Sequence, residues 1–151
     1  MSIELKKIVP YLPYKLKIWD SPDEESTEIC ELLSIDRNGI YELKVIDGSN
    51  IFTVNPDLWA NVKPILRPLS DLFVEIKTNE RFIPVLELKQ IADTDYERDF
   101  IEKLEQIVKE KKIEYMPYTL LINLFEWHFD VFGLIKKKLA VDFNTIDFNK
   151  A

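Results

Sequence analysis

A chain of 151 residues, 46% of them apolar and 31% charged, can bury one hydrophobic core and is too apolar for a disordered class. Its 27 acids outweigh 20 bases, and the net charge of −7 disfavours general attraction to nucleic-acid phosphate or to anionic membranes. One cysteine, Cys30, excludes an intramolecular disulfide and a cysteine-rich zinc site.

Residues 3–9 read as a short helix ended by Pro10 and Pro13, and KLKIW at 15–19 reads as a strand. Asp20 to Ser26 is polar and acidic, an exposed loop. Two runs rich in Ile, Leu, Val and Tyr, 28–36 and 40–46, flank Asn38-Gly39. That dipeptide favours a type I′ hairpin, in which both turn residues take positive φ. A two-residue loop there pairs Asp36 with Tyr41, Ser34 with Leu43 and Leu32 with Val45. A second turn at Asp47-Gly48 leads into 50–54 and sets Phe52 near Leu43 and Val54 near Tyr41. Alternation then gives Leu32, Tyr41, Leu43, Val45, Phe52 and Val54 one buried face. The expectation is an antiparallel meander of three strands, or four with 15–19.

Pro56, Pro64 and Pro68 predict an irregular connection over 55–72, with a short helix after Pro68. A helix is predicted at 95–112. Tyr96, Phe100, Ile101, Leu104, Ile107 and Val108 share its apolar face, and Thr94 with Glu97 has capping-box spacing. Asp99 with Lys103 and Glu105 with Lys109 are acid-before-base pairs four apart. A second, largely apolar helix runs over about 118–129, and Gly133 ends its pattern. The class is therefore α+β, a meander followed by a mainly helical C-terminal half, in a single domain over 1–151.

The densest group of ligand-type residues is Glu126, His128 and Asp130. On a helix the two acids share a face while His128 points roughly 160–200° away, into the apolar side. The group reads as a core histidine beside two exposed acids, and could converge only on an extended chain. His128 is the sole histidine, so no triad, dyad or multi-histidine metal site can form without it. Cys30 alternates with Leu32 and Ser34 and reads as a small core residue. The chain has no phosphate-cradling glycine loop and no calcium-loop spacing. No catalytic residue, cofactor or metal is assigned. Two features suit a recognition surface instead: the acids Asp23, Glu24, Glu25 and Glu28, and the aromatics Tyr11, Tyr14 and Trp59 on proline-flanked segments. The opening MSIELKKIVPYLPYKLKIW lacks an apolar h-region and a small-residue cleavage site, and no apolar run reaches the roughly 18 residues of a membrane span. The expected compartment is the cytoplasm.

KPILRPLSDL at 63–72 and EWHFDVFGLIKKKLAVDFNTI at 126–146, with the opening YLPYKLKIW, resemble an uncharacterised family of small proteins found in phages and prophages of the Bacteroidetes group. That family has a glycine before the position of Leu139, where this chain has Lys136, Lys137 and Lys138. The resemblance implies a mobile-element setting and brings no catalytic residue. The leading expectation is a non-enzymatic protein that binds a macromolecule, in one form an inhibitor of a host defence nuclease. The alternatives are a small metal-dependent hydrolase using Glu126, His128 and Asp130, and a nucleic-acid-binding accessory protein. The accessory protein would need a basic patch from Lys136–Lys138 and Lys109–Lys112.

Overall fold

A computed structural model describes residues 3–21, 27–48, 50–58 and 61–146. In chain order it has helix α1 (Leu5–Ile8), which runs into a 3-10 turn (Val9–Tyr14), then strands β1 (Lys17–Asp20), β2 (Glu28–Ile35), β3 (Tyr41–Val45), β4 (Ile51–Val54) and β5 (Val62–Leu66). A 3-10 turn (Leu69–Phe73) and a small hairpin, β6 (Ile76–Lys77) and β7 (Arg81–Phe82), follow. Next come helices α2 (Pro84–Ile91), α3 (Asp95–Glu102), α4 (Leu104–Lys109) and α5 (Tyr118–Glu126), and finally β8 (Val141–Asp142). The α+β class holds. The described residues form two compact units: those up to Leu66 with those from Gly133 onward, and Arg67–Phe132.

The first unit contains one mixed sheet of six strands in the order β4-β3-β2-β1-β5-β8. This enlarges the expected three- to four-stranded meander. β5 pairs with β1 antiparallel, Ile18 opposite Pro64, and β8 pairs parallel to β5 at Ile65 and Leu66. Pro64 hid β5 in the sequence, because proline cannot donate to a ladder. Pairing with β8 begins one residue past it. Ile18, Cys30, Leu43, Leu66 and Tyr11 are fully buried in this unit.

The hairpin forms where Asn38-Gly39 predicts it, with a different turn. Gly39 has φ 80°, but Asn38 does not take positive φ. The Asp36 carboxylate accepts hydrogen bonds from the backbone N–H of Asn38 (2.8 Å) and Ile40 (3.0 Å), and the Gly39 N–H donates to the Asp36 carbonyl (3.0 Å). This is a three-residue loop with glycine in the left-handed position. Its register is Ile35 opposite Tyr41, Ser34 opposite Glu42, Leu32 opposite Leu43 and Cys30 opposite Val45, with a bulge between Leu32 and Ser34. The predicted pairs Leu32–Val45 and Ser34–Leu43 are thereby corrected. The bulge returns Leu32 to the face of Leu43. On the far side, Leu43 lies opposite Phe52 and Tyr41 opposite Val54, as the sequence predicts.

In the second unit the helix predicted at 95–112 is two helices. The N–H of Lys103 (φ −96°, ψ 6°) is shared between the carbonyls of Asp99 (3.3 Å) and Phe100 (3.2 Å), which tightens the turn and separates α3 from α4. The predicted Asp99–Lys103 pair forms at 3.1 Å. The ends of α4 and α5 follow one device. After α4, the Lys111 N–H donates to Val108 and the Lys112 N–H to Ile107. After α5, the His128 N–H donates to Phe125 and the Phe129 N–H to Leu124. This pattern is the Schellman motif, which requires a left-handed residue just past the helix. Glycine usually fills that position; here Lys111 (φ 59°) and His128 (φ 62°) do. In the first unit, Lys138 (φ 62°) closes a turn over 134–139 with the same two bonds.

Arg67 ties the second unit together. Its N–H donates to the His128 carbonyl (2.7 Å), and its carbonyl accepts from the Asp130 N–H (2.8 Å). Its buried guanidinium reaches the carbonyls of Trp127 (Nε, 3.2 Å) and Lys77 (Nη2, 3.0 Å). Burial lowers the Arg67 pKa, and the charge of Asp71 opposes that shift.

Candidate functional site

The expected binding residues that are described do not all reach the surface. Tyr11 is fully buried, which corrects its reading as an exposed anchor, and Tyr14 is half-buried. Both lie on the 3-10 turn Val9–Tyr14, whose prolines Pro10 and Pro13 set φ and carry no N–H. Glu28 is exposed at the start of β2. Asp23, Glu24, Glu25 and Trp59 lie outside the described residues.

Glu126, His128 and Asp130 do not converge either. α5 stops at Glu126 and the left-handed His128 turns the chain, so the geometry of an unbroken helix to 129 does not apply. Glu126 is exposed, His128 is half-buried rather than in the core, and Asp130 is 5% exposed rather than a surface acid. Among the described residues, one group of three ligand-type side chains has donor atoms within 4.8 Å of one another: Asp20, Glu28 and Cys30. Antiparallel pairing of β1 with β2 creates it, since Asp20 lies opposite Glu28 and Ile18 opposite Cys30. Burial, and then the charges of Asp20 and Glu28, push the Cys30 thiol up to about 12. A thiol so placed stays protonated at neutral pH and is a poor nucleophile. Burial, with Glu28 facing it, also raises the Asp20 carboxyl.

The second unit combines a part-buried polar tie with exposed tyrosines. Thr94 caps α3, with its hydroxyl accepting from the Glu97 N–H (3.1 Å) and its own N–H donating to Glu97 Oε1 (3.2 Å), the capping box the sequence predicts. Glu97 also does what its spacing does not announce. Its Oε2 accepts a 2.7 Å hydrogen bond from the Thr119 hydroxyl in the first turn of α5. The bonds from Thr119 and then Thr94 hold the Glu97 carboxyl below its ordinary value. Glu97 therefore lies on the buried line of α3 with Ile101, and Tyr96 beside it is turned out to 67% exposure. That corrects the placement of Tyr96 on the apolar face.

Tyr118, beside Thr119, is 71% exposed, and Tyr115 is 70% exposed. Tyr96 and Tyr118 are thus displayed on the two helices that the Glu97–Thr119 bond joins, and Tyr115 on the 3-10 turn Ile113–Tyr115 before α5. Residues 93–115 carry eight acids against five bases. Three of those bases are paired, Arg98 with Asp95 (3.1 Å), Lys103 with Asp99 (3.1 Å) and Lys112 with Glu110 (3.6 Å). The signal in the sequence was tyrosine beside a helix start and beside Pro117; apolar periodicity obscured it by counting Tyr96 as core.

Among the described residues no helix is long and apolar enough to cross a membrane. No protein-family model, curated protein or solved structure matches the chain.

Proposed function

We propose that this protein acts without turnover, binding a protein partner that presents a basic surface. The observation that carries the reading is the exposure of Tyr96, Tyr115 and Tyr118 in the second unit, in and beside the acid-rich segment 93–115. Tyrosine supplies a large, stiff contact area with a polar tip, and is enriched where binding energy concentrates. The surrounding acids select a positively charged counterpart and speed its encounter. The resemblance of KPILRPLSDL and the 126–146 segment to phage and prophage proteins gives the narrower form. In that form the partner is a host defence nuclease whose basic nucleic-acid channel this surface occupies.

The test is capture from lysate of a Bacteroidetes host, with the wild type and the triple variant Tyr96→Ser, Tyr115→Ser, Tyr118→Ser. The expected result is a basic protein retained by the wild type at low salt, released as salt shortens the Debye length below about 8 Å, and lost with the variant. Equal retention by the variant, or multiple turnover of any substrate by the purified protein, overturns the reading.

A further inference from the structure

Beside the β6–β7 hairpin lies a groove of about 310 Å³ lined by Thr78, Asn79, Glu80, Phe82, Glu87 and Trp127. Phe82 and Trp127 meet at 4.9 Å between ring centroids, tilted by 57°, and both are partly exposed. Two acidic residues line the same groove, Glu80 from the hairpin turn and Glu87 from the first turn of α2. The hairpin also carries two cations, but its register keeps them on the other face. Ile76 lies opposite Phe82 and Lys77 opposite Arg81, so alternation turns Lys77 and Arg81 away from the side of Phe82. Neither cation lines the groove. Trp127 is held in place through its carbonyl, which accepts from the buried Arg67 guanidinium.

We propose that this groove receives one lysine or arginine side chain of the partner, an inference that rests on the basic-partner reading above. Aromatic faces attract a cation through their quadrupoles and pack its alkyl stem, while the two carboxylates take up its charge. Such a pocket would fix the register of an otherwise diffuse acidic contact.

The probe is a hexa-arginine peptide, with a hexa-glutamine peptide as control, observed through the Trp127 indole N–H resonance of the full chain. A Trp127→Phe spectrum assigns that resonance. The expected result is a saturable shift of the Trp127 indole with hexa-arginine and none with hexa-glutamine. Affinity should fall about tenfold in Glu80→Gln/Glu87→Gln and by a similar factor in Phe82→Leu. Circular dichroism of each variant checks that the fold is kept, and the paired glutamines remove charge without volume. If hexa-arginine shifts the ring signals of Tyr96, Tyr115 and Tyr118 but leaves Trp127 unmoved, the groove proposal fails and the basic-partner reading stands. If neither set moves, both fail. A larger Trp127 response to single-stranded oligonucleotide than to hexa-arginine would mark the groove as a base-stacking site and overturn the proposal.

Discussion

In the sheet unit, Ile18, Trp19 and Asp20 of β1 are paired on both sides, Ile18 with Cys30 across one ladder and with Pro64 across the other. In the unit Arg67–Phe132, the helices are six to nine residues long, below the length at which an isolated helix persists in water. Their order depends on packing and on a few side chains that hold backbone or helix ends: Arg67 on the carbonyls of Trp127 and Lys77, and Glu97 between Thr94 and Thr119. One unit spreads its hydrogen bonds over a ladder; the other concentrates them. The exposed tyrosines and the aromatic groove both belong to the second unit, so the candidate surface depends on a small number of polar contacts.

The sharpest way to break this comparison is Arg67→Met. It preserves the length of the stem but leaves two carbonyls without their guanidinium donor. The expected loss is about 3 kcal/mol, since each orphaned acceptor costs about 1–3 kcal/mol. Leu43→Ala, in the sheet core, costs a similar amount, about 3 kcal/mol. What separates the two is where hydrogen exchange accelerates. Arg67→Met should speed the amides of α5 and the β6–β7 hairpin while those of β1 and β2 keep their protection. Equal acceleration in both units would mean that stability is shared, and the contrast would be wrong.

A smaller effect sharpens the same point at Glu97. Its carboxyl lies below the usual 4.5 when folded because Thr119 and Thr94 donate to it. A carboxyl depressed by folding contributes stability that is complete above the unfolded value and is lost as pH falls through the lower, folded one. Thr119→Val should therefore destabilise at pH 7 and lose most of that effect in acid below the folded pKa of Glu97. Thr94→Ala, which also removes the cap, should cost about 1 kcal/mol at neutral pH. Urea melts in a series from pH 7 downward provide the measurement, and a Thr119→Val penalty that does not shrink as Glu97 becomes protonated would remove Glu97 as the tie between α3 and α5.

Elements governed by local chemistry were legible in the sequence. Asn38-Gly39 located the hairpin, the β3–β4 register followed from alternation, and Thr94 with Glu97 located the start of α3. Elements governed by distant partners were not. β5 was masked by Pro64, and β8 is two residues that pair only because β5 is there. The candidate surface was legible only in part, because Tyr96 fits the apolar periodicity, while the buried position beside it is taken by Glu97, bonded to Thr119 22 residues away. Helix ends failed for a related reason. Glycine is the usual mark of a helix end, yet α4 and α5 end at Lys111 and His128.

Those left-handed residues supply the smallest test. A non-glycine side chain in this conformation costs roughly 1 kcal/mol, because Cβ crowds the following carbonyl. Lysine and histidine at a helix end recover part of it through the negative end of the dipole. Glycine removes the crowding but adds freedom to the unfolded chain, which offsets about half the gain. Lys138 is the cleanest case: it is exposed, and the turn over 134–139 is not a regular helix with a full dipole. Lys138→Gly should therefore stabilise the chain by about 0.5 kcal/mol, raising the melting temperature by about 1–2 °C for a chain of this size. His128→Gly sits in the other unit, where the N–H groups of His128 and Phe129 close α5 and the His128 carbonyl accepts from Arg67. Greater chain freedom there threatens a concentrated set of contacts, so its gain should be smaller than that of Lys138→Gly or reversed in sign. A larger gain at His128 than at Lys138 would show that the second unit tolerates loosening at its most heavily bonded turn, contrary to the division of labour drawn between the two units.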